Sequence, residues 1–135
     1  MEYDLSKMIV PSKTVWADYP GLEGFEVQLA YLTKDELMKI RDKSLVRKIN
    51  RSRAVEDELD NELFQTLYFK AVIKDWRGLK LKYLRKLLPV DTGEAIDDEL
   101  EYSVENAEVL MKNSSQFESW VGQMLEDVEN FTAAA

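Results

Sequence analysis

The sequence predicts a single α+β domain that is predominantly α-helical, in which an N-terminal β-hairpin precedes about four to five helices. Two short segments with alternating apolar residues lie on either side of a Pro-Gly pair near the N-terminus, which indicates a hairpin. After residue 33, apolar residues recur mainly at spacings of three and four, which indicates helices. A length of 135 residues and a hydrophobic content of 45% fit one compact core, and no low-complexity linker divides the chain.

The predicted hairpin occupies residues 13–32 and follows an arm over residues 1–12. Its two strands flank Pro20 and Gly21, which suit the centre of a type II turn because proline fixes φ and glycine tolerates a positive φ. An isolated hairpin is only marginally stable in water. We therefore expect the hairpin to pack against the helices or to pair with a further strand.

The helical part is predicted over residues 33–131. Thr33 and Glu36 form a capping-box pattern at the start of a helix that runs to about residue 49. The following residues, 50–58, show no periodicity and change from basic to acidic, which predicts an exposed loop.

The next helix, predicted over about residues 56–77, has the strongest apolar periodicity in the chain. Gly78 stands where a C′ glycine ends a helix, so residues 73–80 are predicted to be a helix end. Trp76 in this stretch is predicted to be a buried packing residue. The apolar residues that recur at every fourth position are Leu59, Leu63, Leu67 and Ala71.

Three further helices are predicted towards the C-terminus. A leucine-rich segment predicts a short helix that Pro89 ends, and the acidic residues 91–101 predict a solvated loop. Ser103 is a candidate N-cap for the next helix. Ser115 and Glu118 form a capping-box pattern for the last one.

The composition excludes several kinds of chemistry. The chain contains no cysteine and no histidine, which excludes disulfides, zinc–thiolate sites, thiol nucleophiles and histidine-dependent triads. Ile96 stands where an EF-hand loop needs glycine, and no glycine-rich phosphate loop occurs. The predicted acidic loop lacks the asymmetric environment that a pair of catalytic carboxylates needs. We therefore predict no enzymatic activity, no metal and no cofactor. The carboxylates considered in that loop are Asp97, Asp98, Glu99 and Glu101.

The net charge of −8 is unevenly distributed along the chain. Residues 34–53 and 70–86 are basic, whereas residues 54–69 and 91–135 are acidic. The basic segments could contact nucleic acid, but the overall acidity opposes the approach of DNA. We favour the alternative, in which basic and acidic segments face each other within the fold or across a complex. No signal peptide or transmembrane segment is predicted, so we expect a soluble cytosolic protein that does not bind a membrane.

Several motifs occur in a characteristic order along the chain. An N-terminal LSKMIVPSKTVWADYPGLEGFEVQLAYLTKDEL is followed by AVIKDWRGLK, by DDELEYSVENAEVLMKNSSQFESWV and by a terminal ENF. The DW-x-G segment precedes a predicted helix with the pattern L-x-Y-S-x-E-N-A and then an amphipathic helix that contains tryptophan. This order resembles the tail assembly chaperones of long-tailed (siphovirus-type) bacteriophages, and the likeness covers nearly the whole chain.

The resemblance implies a non-enzymatic chaperone of phage tail assembly. Such proteins bind the long, aggregation-prone tape measure protein, keep it soluble and help to recruit tail tube subunits. They act in the cytoplasm of the infected host, are absent from the mature virion and often self-associate. Many are made in two forms, the longer by ribosomal frameshifting, and the short TAAA after ENF would match the shorter form.

Seven residues are candidates for partner contact under this hypothesis. For the apolar stripe of the last helix, burial in the core and contact with a partner are both open. Two other functions are also open: a DNA-linked phage adaptor or regulator that uses the basic segments, and a small carboxylate-dependent enzyme. The candidates are the apolar Phe117, Trp120, Met124 and Phe131, and the basic Lys39, Lys43 and Arg47.

Overall fold

The strands of this protein form two separate antiparallel sheets. The computed structural model describes residues 2–8, 13–49, 51, 54–127 and 131. In chain order its elements are α1 (Leu5–Met8), β1 (Thr14–Asp18), β2 (Glu26–Ala30), α2 (Lys34–Lys43), β3 (Leu45–Ile49), β4 (Val55–Leu59), α3 (Asn61–Val72), β5 (Ile73–Arg77), α4 (Leu81–Leu87), α5 (Val104–Asn113) and α6 (Ser115–Glu126). One sheet has the order β1-β2-β5, and β3 pairs with β4 in the other.

The prediction of a predominantly helical fold with a single N-terminal hairpin is wrong. The structure contains 47% helix and 22% strand in a mixed α/β arrangement. Both long predicted helices are too long. The first ends at Lys43 and is followed by β3, and the second is limited to α3, with a strand directly before it and another directly after it.

The predicted N-terminal hairpin is confirmed. β1 and β2 pair in an antiparallel register in which Trp16 lies opposite Gln28. Gly21 in the connecting turn has a φ of 84°, as the turn prediction requires. The exposed helix α1 lies within the predicted arm, whose residues 9–12 fall outside the described part of the chain.

The predicted helix over residues 56–77 is wrong at both ends. Asp60 is the N-cap of α3, and its side chain accepts a hydrogen bond of 3.1 Å from the backbone N–H of Leu63. The helix ends at Val72, and the chain continues without a loop into β5, which pairs antiparallel with β2. Residues 73–77 are therefore an edge strand of the first sheet. On the solvent face of that sheet, the Arg77 guanidinium lies 4.2 Å above the Trp16 ring.

A β-bulge in β5 explains why the sequence looked helical here. Leu29 pairs with Ile73 and Gln28 pairs with Asp75, so Lys74 is an extra residue on β5. The bulge lets Ile73 and Trp76, three positions apart, both face the core, where they are 0% and 4% exposed. A spacing of three is also the spacing of a helical face, so the bulge imitates helical periodicity.

The first predicted helix is correct at its start and wrong at its end. The capping box is confirmed, because the Thr33 side chain accepts from the Glu36 N–H while Glu36 accepts from the Thr33 N–H. The helix ends at Lys43, and Ser44 leads into β3. β4 (Val55–Leu59) overlaps the end of the predicted loop 50–58, of which residues 50, 52 and 53 fall outside the described chain.

Gly78 is correctly predicted to need a positive φ, although it ends a strand and not a helix. Its φ is 74°. A Cβ at this position would overlap the carbonyl oxygen of Gly24 and lie 2.7 Å from the Gly24 carbonyl carbon. Only glycine therefore allows the chain after β5 to pass this close to the hairpin turn.

The C-terminal helices largely match their predictions. The leucine-rich segment forms α4, and residues 91–101 form no helix or strand apart from an isolated bridge between Lys80 and Glu99. The Ser103 side chain caps α5 by accepting from the Asn106 N–H at 3.0 Å. The last helix begins one residue earlier than its capping-box pattern indicates, since Ser114 is the N-cap of α6 and accepts from the Phe117 N–H.

Trp76 joins the β1-β2-β5 sheet to the segment that precedes α5. It is buried as predicted, although it lies on a strand, and its indole Nε1–H donates to the Leu100 carbonyl at 2.9 Å. Its ring meets Tyr102 edge-on at 5.3 Å, and the Tyr102 hydroxyl donates to the Ile73 carbonyl at 2.9 Å. These contacts fix the segment that leads into α5.

The hairpin and the last helix share an aromatic cluster. The Tyr19 ring centroid lies 5.5 Å from that of Phe25, 6.0 Å from that of Phe117 and 4.8 Å from that of Trp120. Such pairs contribute about 0.5–1.5 kcal/mol each beyond the area they bury. The hairpin is thus held against α6 as well as in the sheet, as its marginal intrinsic stability requires.

Replacing Gly78 by alanine tests the close backbone approach. We expect Gly78→Ala to lower the free energy of unfolding by roughly 3 kcal/mol, because a strained positive φ and a clash with the Gly24 backbone act together. The matched control is Gly21→Ala, with a similar φ of 84° but no atom within 4 Å of the added Cβ, for which we expect a loss of about 1 kcal/mol. Urea denaturation measures both. Equal losses would show that the Gly24 contact contributes nothing.

The contact between α3 and α5 should depend on pH through Glu108. This carboxylate accepts from Lys112 Nζ at 2.7 Å and from the Thr66 hydroxyl at 2.8 Å, and these bonds lower its pKa from its ordinary value of 4.5. A lowered pKa in the folded state stabilises the fold above the unfolded-state pKa, and this contribution is lost as the pH falls through the folded-state pKa. Glu108→Gln should therefore reduce stability slightly at neutral pH, and the difference from the wild type should shrink in acid.

The control for this pH dependence is Glu94→Gln, which changes an exposed carboxylate in the loop before α5. Urea denaturation at a series of pH values gives the stability of the three proteins. A wild-type–Glu108→Gln difference that stays constant down to low pH would contradict the assignment.

Candidate functional site: a groove beside helix α2

The aromatic residues predicted to contact a partner lie in the core. Phe117 and Phe131 are 0% and 1% exposed, and Trp120 is 9% exposed. Phe117 and Trp120 join the aromatic cluster with the hairpin, and the Phe131 ring lies 5.5 Å from that of Tyr31. Met124 is partly buried and packs against the same core. In the folded chain the three aromatic side chains are thus covered by the rest of the domain.

Two of the predicted basic residues, Lys39 and Lys43, line an open groove of about 450 Å³ between α2, the end of β2 and the end of α3. The third predicted basic residue, Arg47, lies outside it, on β3 opposite Asp57. The groove is lined by Ala30, Leu32, Glu36, Lys39, Ile40, Lys43, Ala71 and Lys74.

Helix geometry explains the α2 side of this groove. Glu36, Ile40 and Lys43 are spaced by four and three residues, which places them on one face of α2, and Lys39 lies beside them. The Thr33–Glu36 capping box fixes the first turn of this helix. No residue of α2 is fully buried, so this helix lies on the surface of the domain with a mostly polar exterior.

The opposite side of the groove depends on the bulge in β5. Ala30 ends β2 and Ala71 lies in the last turn of α3, and both side chains are small enough to leave space. Lys74 is the extra residue of the bulge. A bulge redirects a side chain relative to the regular alternation of a strand, and Lys74 lines the groove across from α2.

The groove combines an apolar floor with a positively charged rim. Leu32 and Ile40 are partly buried, whereas Lys39, Lys43 and Lys74 are exposed. Lys39 lies 3.5 Å from Asp35, but both side chains are highly exposed, and such a pair contributes little and leaves the ammonium available to a partner. The arrangement suits a segment that presents apolar side chains to the floor and carboxylates to the rim.

Lys74 is the residue that the sequence interpretation missed. The basic segments 34–53 and 70–86 were recognised, but nothing in their composition showed that they meet. The available signal was that both segments are rich in lysine and lie on either side of residues 54–69, which contain the regularly spaced leucines. Residues 73–77 were predicted as part of a helix end, so the bulge that places Lys74 across from α2 was not foreseen.

The basic and acidic segments do face each other elsewhere in the fold. In the β3–β4 pair, Lys48 lies opposite Glu56, and its Nζ is 3.3 Å from a Glu58 carboxylate oxygen. In the acidic loop, Asp97 lies 3.5 Å from Lys82 Nζ. The preferred interpretation of the charge layout therefore holds for these segments within a single chain.

Metal-ligand clusters and membrane-spanning helices are both absent from the described residues. Among them, no group of three or more aspartate or glutamate side chains is placed to hold a metal ion. No helix in the described ranges is both long enough and apolar enough to span a bilayer.

Comparison with known proteins gives a family for this chain. Residues 30–135 match the family model described as YdaY prophage protein, which covers most of the chain, so the chain belongs to that family and is phage-derived. No curated protein and no solved structure matches.

The burial of the aromatic side chains gives a direct stability prediction. Phe117→Ala should lower the free energy of unfolding by about 3–5 kcal/mol, because it leaves a cavity in a fully packed site. The control Val109→Ala, at a 54% exposed position on α5, should change it by no more than about 0.5 kcal/mol. Chemical denaturation followed by tryptophan fluorescence measures both. A Phe117→Ala protein as stable as the wild type would return this side chain to the partner-contact candidates.

Proposed function

We propose that this member of the YdaY prophage protein family is a non-enzymatic chaperone of phage tail assembly. It binds the tape measure protein in the cytoplasm of the infected host, keeps it soluble and helps to recruit tail tube subunits, and it is absent from the finished virion. The phage origin of the family and the resemblance of the motif order to tail assembly chaperones support this function.

The observation that carries the proposal is the groove beside α2. It has an apolar floor at Leu32 and Ile40 and a rim of three exposed lysines. Leu37 and Met38 extend the apolar surface along the outside of the same helix, where they are 37% and 42% exposed. Methionine and leucine side chains adapt to varied apolar partners, which suits the capture of an unfolded or helical client segment.

The occupant that fits this groove is an amphipathic, acidic segment of the tape measure protein. Apolar side chains of such a segment would cover the floor, and its carboxylates would pair with Lys39, Lys43 and Lys74. The chain as a whole carries a net charge of −8, and repulsion between like-charged molecules helps to keep loaded complexes apart in solution.

Nucleic acid is the alternative occupant of a lysine-rimmed groove. Arg47 and Lys48, the basic residues nearest to it on β3, lie opposite acidic residues of β4. This reduces the positive field that a phosphate backbone would meet. The protein partner is therefore favoured, and a DNA titration at two salt concentrations distinguishes the two, since phosphate binding weakens steeply with salt.

Reversal of the charges on the groove rim tests the proposed function. We expect the double variant Lys43→Glu/Lys74→Glu to bind the tape measure protein of the same prophage at least about tenfold more weakly, because attraction on both sides of the groove becomes repulsion. The measurement is co-expression of the two proteins, followed by the yield of soluble tape measure protein and co-elution by size.

The matched control is Lys7→Glu/Lys86→Glu, which makes the same change in net charge at exposed lysines of α1 and α4. This control should retain the soluble complex. Equal binding by both variants would move the client site away from the groove. Failure of the unaltered chain to keep any tape measure protein soluble would reject the chaperone function itself.

A further inference from the structure

A second groove runs between helices α3 and α6. It has a volume of about 270 Å³ and shares no lining residue with the groove beside α2. Phe69, Met111 and Val121 are buried and form its floor. The groove is thus open to solvent above an apolar base. The remaining lining residues, which are partly buried or exposed, are Phe64, Gln65, Tyr68, Glu118, Gly122 and Leu125.

Aromatic side chains of α3 form one wall of this groove. Phe64 and Tyr68 are one helical turn apart, and their rings stack with centroids 6.0 Å apart and planes 8° apart. Both side chains are only partly buried. Single exposed apolar side chains are normal on a protein surface, whereas a contiguous apolar surface marks a site of contact with another molecule.

Gly122 lies in the opposite wall, within helix α6. Its φ is not positive, and beyond its own stretch of helix no described atom lies within 4 Å of the Cβ that another residue would have. Neither the backbone nor a described neighbour therefore requires glycine here. Glycine inside a helix is less favourable than alanine, because more backbone freedom is lost on folding. The missing side chain thus costs helix stability, and its effect is to keep the groove open.

The α6 side of the groove is negatively charged. Glu118, one turn before Gly122, is the charged residue of the lining, and it forms no ion pair with another described residue. Helix α6 contains this residue and Glu126 but no basic residue, and the negative end of its dipole lies at Glu126. On α5, Lys112 is already paired with Glu108. A cation beside Glu118 is therefore favoured, and a carboxylate there is disfavoured.

We propose that the groove between α3 and α6 binds an amphipathic helical segment of a partner protein that carries lysine or arginine beside its apolar face. A bulky apolar side chain of this segment lies over Gly122, against Phe64 and Tyr68, and a basic side chain pairs with Glu118. From Glu118 to Leu125 the groove is about 10 Å long, at a helical rise of about 1.5 Å per residue, which accommodates roughly two turns of a helix. This partner differs from the acidic segment proposed for the groove beside α2, and the inference does not rest on the proposed function.

Two synthetic, fluorescently labelled peptides test the proposal. They share one amphipathic helical design with the same leucine and phenylalanine face, flanked by lysine in one peptide and by glutamate in the other. Fluorescence anisotropy at physiological salt gives their affinities for the wild type, for Gly122→Leu, which fills the groove without changing the charge, and for Glu118→Lys, which reverses the charge of the rim. The matched controls are Gln123→Leu, which adds leucine to α6 outside the groove, and Glu94→Lys in the loop before α5.

We expect the lysine-flanked peptide to bind Gly122→Leu at least about tenfold, and Glu118→Lys at least about fivefold, more weakly than the wild type. Both controls should bind it within about twofold of the wild type. The glutamate-flanked peptide should not respond to Gly122→Leu, because the carboxylate at position 118 repels it. Absence of binding to the wild type, or binding that Gly122→Leu leaves unchanged, would overturn the proposal. An equal loss for both peptides would overturn the assigned charge of the partner.

Two other occupants of the groove would give different results. Binding of the lysine-flanked peptide that appears only after Leu5→Ser/Met8→Ser, which removes exposed apolar side chains of α1, would assign the groove to the chain's own N-terminal arm. A wild-type dimer that Gly122→Leu dissociates in sedimentation velocity would assign it to a second copy. Either result would overturn the proposal.

Gly122→Ala provides a test that needs no partner. We expect this variant to raise the urea concentration at the midpoint of unfolding, because alanine favours the helix and its Cβ meets no described neighbour outside α6. A lower midpoint than that of the wild type would show that packing closes this position, and it would overturn the open groove on which the proposal depends.

Discussion

The pairing of β5 with β2 is the constraint on which the rest of this structure depends. It brings residues from the middle of the chain against the N-terminal hairpin and turns a marginal two-stranded element into a three-stranded sheet. The close passage of Gly78 beside the Gly24 carbonyl sets the end of this strand. From the same strand, Trp76 and the Ile73 carbonyl hold the segment around Leu100 and Tyr102, so the start of α5 is positioned by β5 as well.

The candidate site depends on the same strand. The bulge at Lys74 interrupts the alternation of β5 and places a cation across from α2, while Ile73 and Trp76 remain in the core. A regular strand of the same sequence would lose either the buried pair or the rim lysine. The bulge therefore links a feature of the core to a feature of the surface.

A second fixed point, Ser44, joins α2, the helix beside the groove, to the β3–β4 pair. Its N–H donates to the Arg41 carbonyl and its hydroxyl to the Ile40 carbonyl, while its own carbonyl accepts from Asp60. This fully buried serine ends α2, starts β3 and meets the N-cap of α3. The proposed client surface and the β3–β4 pair are thus neighbouring parts of one connected unit.

Local signals in the sequence predicted local structure well. The Pro20-Gly21 turn, the Thr33–Glu36 capping box and the Ser103 N-cap depend on neighbouring residues, and each occurs in the structure. One failure concerns a strand whose partner is distant in sequence. β5 pairs with β2 across more than forty residues, and its bulge gives it helical spacing.

The charge-rich strands β3 and β4 were not predicted for a different reason, which is that they lack apolar alternation. They have no buried face that would require such alternation, since all of their side chains are exposed or partly exposed. The candidate site was only half predicted. Lys39 and Lys43 were identified, but their meeting with Lys74 is a property of the tertiary fold. The aromatic stripe of α6 resembled a partner surface because its cover, the hairpin residues Tyr19 and Phe25, lies at the other end of the sequence.

The proposed client surface lies beside α2 and not on the aromatic face of α6. Hydrogen–deuterium exchange of this chain, alone and in complex with the tape measure protein, tests it most directly. We expect slower exchange on binding in residues 34–43 and around Lys74, with residues 81–102 unchanged. Protection confined to residues 115–126, with α2 exchanging as in the free protein, would contradict it.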